Sequence, residues 1–472
     1  MANRRKWRLL ALLGMTLLGC GGERGFAAAH PAPEPALAVD AGPGPRDEPP
    51  SWVASDPVNR ALATVAELRE LPATGPVKGK IIDREAMLVH VREQLRSEVP
   101  EPVVRGTNAM LFLLNVVPRD FDYEKSLLAL LDAQLAGFYE PRDKTMYLLA
   151  DLPEKEREAT LAHELVHALQ DQHYGLENLI KYRDDATDAL SAIHALAEGD
   201  ATSAMFDHIL LAQGKRAIDL PDSMISLQTR GVVELAPSLA AVPTIVKRSV
   251  ISPYVDGIEL IHRLRRQGGW PAVDASWKKP PTTTEQLLHA DKFAAREPAL
   301  EVSIPGMPAS SGFDVIYHDV LGEQSLRLLF EEWAPRRTAV EAASDWGGDR
   351  VAVFERGDRH GLAWHLRFDN EDAARRAYEA LLRGVLRDEL PSAGPSQGPV
   401  SVPDVDRNAA TAAAKAGKAC RERPNRGPIA ATRRGREIAL VAGPVRGTGE
   451  AARSDANCVA ATAWAVAVSG SP

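Results

Sequence analysis

Thr160-Leu161-Ala162-His163-Glu164-Leu165-Val166-His167-Ala168-Leu169-Gln170-Asp171-Gln172-His173 is the stretch from which the fold is read. Within it, His163 to His167 spells H-E-x-x-H. Histidines four apart on a helix share one face, so their imidazoles can converge on a single Zn²⁺. Glu164 then lies about 100° round the helix, beside the metal but not on it. There it can accept a proton from a zinc-bound water. The context suits a helix: residues 156–172 contain neither Pro nor Gly, and Gly175 can end it.

Two histidines need a third protein ligand to make a catalytic site. His173 has the spacing of the metzincin pattern H-E-x-x-H-x-x-G-x-x-H, in which the Gly ends the helix and lets the last His turn back. Gln170 stands in place of that Gly. On an unbroken helix His173 lies about 9 Å along the axis and about 120° round from His167, pointing elsewhere. Glu198, on a second helix expected over residues 187–206, is favoured, with Asp171 and His194 as the remaining alternatives. This arrangement resembles the gluzincin plan. Thermolysin-type helices also place an Asp four after the Glu to support a ligand His. Here that position is Thr202, and Asp200 is off the face by roughly 160°. His194, one turn before Glu198, reads as a neighbour packed toward the core.

Upstream, residues 123–135 have helical apolar spacing. They are followed by a strand pair, 137–140 and 145–148, turning at Pro141 to Lys144. One of these strands is a candidate edge against which an extended peptide could pair. The runs AGFYEPRDKTMYL (136–148), TLAHELVHALQDQHYGL (160–176), ALAEGDAT (195–202) and PPTTTEQLLH (280–289) resemble a bacterial group of exported zincin-like metallopeptidases. The resemblance covers roughly residues 100–300. It implies a gluzincin-like fold and zinc, and names no substrate.

With Zn²⁺ on His163, His167 and Glu198, the expected chemistry is hydrolysis of a peptide bond. Glu164 takes the proton of the attacking water and passes it to the departing amine. A protein donor for the developing oxyanion is sought in Tyr254, His262 and His289. His289 is preferred because it follows the Thr-rich loop 280–284. The rival reading is a catalytically weak or inactive zincin-fold lipoprotein with a binding or assembly role, suggested by the missing Asp after Glu198.

The ends of the chain address and tether it. Arg4, Arg5, Lys6 and Arg8 precede an apolar run, Leu9 to Leu18, too short to span a bilayer and suited to a signal peptide. Leu17-Leu18-Gly19-Cys20 resembles a lipobox, which makes Cys20 the lipidated N-terminus and the membrane contact of an exported cell-envelope lipoprotein. Residues 20–57 are Pro/Ala-rich and read as a tether. Loss of the four basic residues takes the formal charge from −8 to −12. Neither value suits a nucleic-acid binder, so the expected partner is a peptide or protein substrate.

The expected organisation is a signal peptide (1–19), the tether (20–57), a zincin-like domain (58–304) and a C-terminal domain (305–472). The fold class is α+β: a mainly helical metallopeptidase domain with a small strand pair before the H-E-x-x-H helix, then a small α+β domain. In the latter, strands are expected at 349–355, 361–368 and 437–442, with helices at 371–386 and after 449. Trp346 to Asp349 reads as a turn, and residues 390–417 as a flexible insertion. Cys420 and Cys458, an even pair in an exported chain, are expected to form a disulfide.

Overall fold

The computed structural model describes residues 56–387 and 407–470, apart from 119, 235, 309, 310, 424 and 448–450. The signal peptide, Cys20 and all but the last two residues of the tether lie outside the described residues. Among those described, no helix is long and apolar enough to cross a membrane.

The architecture is α+β. The motif helix spans Glu154–Tyr174, opening with Glu154 and Glu156, whose charge suits the positive end of the helix dipole. It stops at Gly175, whose φ of 66° is the left-handed conformation that glycine adopts without strain. Every residue from Ala162 to Gln170 is buried, so this helix runs through the core rather than along the surface. A second buried helix, Thr187–Leu210, carries Glu198. A third, Thr244–Lys278, is broken by non-helical Gly268 and Gly269 just before Pro271.

The second and third helices touch backbone to backbone. A Cβ on Gly199 would fall 2.2 Å from the Gly257 carbonyl carbon, and one on Gly257 would fall 2.0 Å from the Ala195 oxygen. Further along, Arg265 bonds both Ser203 and Asp207. Contacts therefore advance in the same sense on both helices, which run parallel.

A three-stranded sheet lies beside the motif helix: β1 (Lys78–Ile82), β2 (Gly137–Glu140) and β3 (Thr145–Leu149), in the order β1-β3-β2. β2 is antiparallel to β3, as the sequence led us to expect, and β1 adds a parallel strand that it did not. β1 escaped notice because Lys78-Gly-Lys-Ile-Ile82 has little apolar alternation and is mostly exposed.

The C-terminal region is built on a six-stranded antiparallel sheet. Its strands are β4 (Asp314–Asp319), β5 (Trp346–Arg356), β6 (Arg359–Phe368), β7 (Lys418–Arg421), β8 (Ile429–Arg434) and β9 (Glu437–Arg446), in the order 4-5-6-9-8-7. Helices Glu371–Val385 and Cys458–Ser469 pack on it. Trp346 to Asp349 is not a turn but the start of β5. Gly348 lets the Leu300 carbonyl approach to where a Cβ would sit, and Asp349 is buried, accepting from both the Trp346 and Trp364 indoles. The expected insertion is corrected over its last part: residues 407–416, Ala-rich and strongly helix-favouring, form a helix. Residues 388–406 lie outside the described part. Cys420 and Cys458 are joined in a disulfide.

One hydrophobic core crosses the expected boundary at residue 304. The helix Glu101–Leu113 contributes Met110, Leu111 and Phe112 to the same cluster as Trp333, Trp364 and Leu440. Arg426, fully buried, stacks over the Phe112 ring and donates to the carbonyls of Phe112 (2.5 Å) and Val117 (2.9 Å).

Candidate metal centre

The motif helix and the second helix meet at the level of His163, His167 and Glu198. Each offers one ligand atom, and the three atoms lie within 4.8 Å of one another. His163 Nε2 is 3.1 Å from Glu198 Oε2 and 3.1 Å from His167 Nε2, while His167 Nε2 is 3.7 Å from Glu198 Oε2. All three are at most 4% exposed. Two ring nitrogens facing each other at hydrogen-bond distance, both facing one carboxylate oxygen, form a donor set that a cation would satisfy.

The remaining specified residue of the motif, Glu164, is fully buried. Its Oε2 accepts from the Tyr139 backbone N–H at 2.8 Å. Its Oε1 has no hydrogen-bond partner among the described residues. Tyr139 also donates its hydroxyl to Asp171 Oδ2 (3.2 Å), so one residue of β2 is clamped to the motif helix two turns apart. This disposes of the expected peptide-pairing edge. β3 lies inside its sheet, and β2 is buried at all four residues with the Tyr139 N–H already engaged by Glu164.

Support for the ligands comes from a residue that sequence reading treated only as a missing glycine. His167 Nδ1 donates to Gln170 Oε1 (2.8 Å), and Gln170 Nε2 donates to the Ala197 carbonyl (3.0 Å). Gln170 sits three residues after His167, hence on its face of the helix, and this spacing was the available signal. The amide fixes the His167 tautomer and ties the motif helix to the residue before Glu198. It does for His167 what the absent Asp at position 202 would otherwise do. Asp200 turns away to Arg69 (2.6 Å) and the Trp277 indole (2.8 Å). Should the triad hold a metal, Gln170→Ala is expected to weaken its binding about 10–100-fold while the fold persists, read by chelator competition with zinc alongside circular dichroism.

The other candidates separate clearly. Tyr254, buried on the third helix one turn before Gly257, stacks on the His163 ring with centroids 6.0 Å apart. His194 Nε2 lies 3.1 Å from Glu198 Oε1, so it holds the ligand carboxylate from behind and stands outside the triad. His173 is corrected: its Nε2 meets the Pro72 carbonyl (2.6 Å), because the helix runs on through position 170. Asp171 is engaged with Tyr139. His289 is likewise corrected as a catalytic residue. It pairs with Glu323 (2.8 Å) after a short helix whose Thr284 is bound to Asp188, some 15 Å along the second helix from Glu198. His262 is turned to Asp222 (2.7 Å).

Burial and mutual contact set the charges of the metal-free site. Burial pushes the Glu164 carboxyl up to about 8, against the pull of His167. Burial also disfavours the ionised form of Glu198, but hydrogen bonds from His163, His167 and His194 hold it well below the usual range. Burial lowers His163. For His167 burial is outweighed by its contact with Glu198, and the imidazole rises to about 8. A bound cation requires the opposite at His167, a neutral ring, so metal binding and proton release are coupled.

Residues 313–453 match a family model described as a domain of unknown function (DUF8575). That span holds all six strands of the larger sheet and none of the triad. No curated protein and no solved structure matches the chain.

Proposed function

We propose that the chain is a zinc-dependent hydrolase of peptide bonds, with His163, His167 and Glu198 holding the metal and Glu164 as general base. The observation that carries this reading is the buried N,N,O donor set, its atoms within 4.8 Å of one another. Beside it Glu164 has one carboxylate oxygen anchored and the other without a partner. When bound, zinc supplies Lewis acidity to a carbonyl and makes a neighbouring water easier to deprotonate. Tyr139 holds Glu164 by Oε2, leaving Oε1 to take the proton from the attacking water and hand it to the departing amine. Tyr254, stacked on the His163 ring, is the candidate oxyanion donor.

On the same reading the chain is an exported lipoprotein of a bacterial cell envelope, held to the membrane through lipid on Cys20. It acts on a peptide or protein, with no nucleic-acid partner. The test is metal content: one zinc per chain is expected, and tight binding retained in His163→Ala would sink the ligand assignment. A second reading, a binding or assembly lipoprotein on an inactive zincin scaffold, draws on the closed β2 edge and the burial of the triad. Hydrolysis of a peptide library by the wild type, lost on removing Glu164's acid–base capacity, would eliminate it.

A further inference from the structure

A cavity of about 340 Å³ lies between the two parallel helices and the C-terminal region. That volume is at the lower end of ligand-sized clefts, about 300–1,000 Å³. Leu190, Ser191 and His194 line it from the second helix, and Val246, Ser249 and Val250 from the third. Both sets are helical stripes, and one turn further along each stripe stands a residue of the metal centre. Four residues after His194 is Glu198; four after Val250 is Tyr254, stacked on His163. His194 joins the two spaces. Its ring lines the cavity while its Nε2 bonds Glu198, and it is 14% exposed where Glu198 is fully buried.

The remaining wall comes partly from residues 103–127, with Thr107, Leu111 and Tyr123, and partly from the other half of the chain, where Tyr317, Ser325 and Trp364 lie within the span matching the domain of unknown function. Among the described residues no Asp, Glu, Lys or Arg lines the cavity; apart from His194 its polar groups are Ser, Thr and Tyr hydroxyls and the Trp364 indole. Such a lining excludes phosphates, carboxylates and ammonium groups, for which burial without a counter-charge is costly. It favours an uncharged apolar group.

We propose that this cavity is the specificity pocket of the metal centre, taking a bulky apolar side chain next to the bond to be cut, and that the region around β4 to β6 exists in part to close it. The assignment rests on the hydrolase reading above and gives the C-terminal region a place in that function.

The neutral fluorophore N-phenyl-1-naphthylamine serves as probe on the full chain. One saturable site is expected, with displacement by N-acetyl-phenylalanine amide and not by N-acetyl-lysine amide. Ser325→Trp and, independently, Ser191→Phe fill the cavity from opposite walls. Each should weaken the probe by at least about tenfold while zinc content and the unfolding midpoint are retained. Peptides with Leu or Phe beside the scissile bond should be cleaved fastest, a preference that Ser325→Trp diminishes. Equal displacement by the lysine amide, or unchanged probe affinity in a folded cavity-filled variant, overturns the pocket. Preferred cleavage beside charged residues overturns it too, with the hydrolase reading left standing. Probe binding that the fillings weaken, with no hydrolysis by the zinc-loaded wild type, overturns the hydrolase reading and keeps the cavity as an apolar binding site.

Discussion

Glu164→Gln is expected to leave one zinc per chain and to lower kcat/KM for peptide hydrolysis by about 10²–10⁴-fold, the usual worth of a positioned general base. The substitution changes one atom. The amide oxygen still accepts from Tyr139 N–H, which now donates to the carboxylate at 2.8 Å, so β2 stays docked on the motif helix. None of the three ligand atoms is touched. What is lost is the ability to hold a proton at Oε1. The variant should not be less stable than the wild type. In the metal-free protein burial raises the Glu164 carboxyl from 4.5 to about 8, so the native state favours the protonated form. Between those values the native state binds more protons than the unfolded chain, and wild-type stability falls as pH rises. An amide has no such dependence, so the stability difference should move in the variant's favour from about pH 4.5 to about pH 8. Zinc analysis, steady-state kinetics and urea unfolding at several pH values together check this. Full activity in the zinc-loaded variant would remove Glu164 from the mechanism.

Gly257→Ala should cost about 3 kcal/mol or more and weaken zinc binding, although Gly257 touches no ligand. Its Cβ would sit 2.0 Å from the Ala195 oxygen and 2.9 Å from the Gly199 nitrogen. Both are backbone atoms, so no rotamer change relieves the clash, and the helices must move apart. Glu198 precedes Gly199, and Tyr254 lies one turn before Gly257, so that separation would displace one or both relative to His163 and His167. Gly199→Ala, with its Cβ 2.2 Å from the Gly257 carbonyl carbon, should behave alike. Gly231→Ala is the control: nothing lies within 4 Å of its Cβ, and its helical setting makes the change neutral or mildly stabilising. Urea unfolding and chelator competition on the three variants give both readouts. A Gly257→Ala protein with wild-type stability would show that the two helices are not locked at this crossing.

The two histidines of the triad were legible in sequence because a helix converts spacing into direction. His163 and His167 four apart, with an uninterrupted run around them, leave little freedom. Glu198 was a choice among four candidates, and only the packing of one helix on another brings it, rather than the other three, into the group with the two histidines. His289 and His262 show the limit. Both are chemically suitable histidines in the expected region, but their directions depend on Glu323 and Asp222, distant in sequence. Gln170 was misread for a different reason. Against a metzincin template it is an absence, whereas the packed helix gives its amide two partners. The apolar runs of β5, β6 and β9 were visible as strands, while β1 was hidden by its lysines and the helix at 407–416 by the Pro- and Gly-rich stretch before it.

The Arg426 guanidinium also fixes an order of events. It closes the carbonyls of Phe112 and Val117, more than 300 residues upstream, and lies wholly inside the core those residues share. Until that late stretch emerges, the carbonyls of Phe112 and Val117 at the end of the helix closing at Leu113 lack this partner, although every residue lining the cavity beside His194, the last of them Trp364, has already been made. A chain made from its N-terminus therefore holds its His163, His167 and Glu198 triad first, its cavity lining by Trp364, and this buried closure only at Arg426. The core that the two halves share is finished only when nearly all of the protein exists.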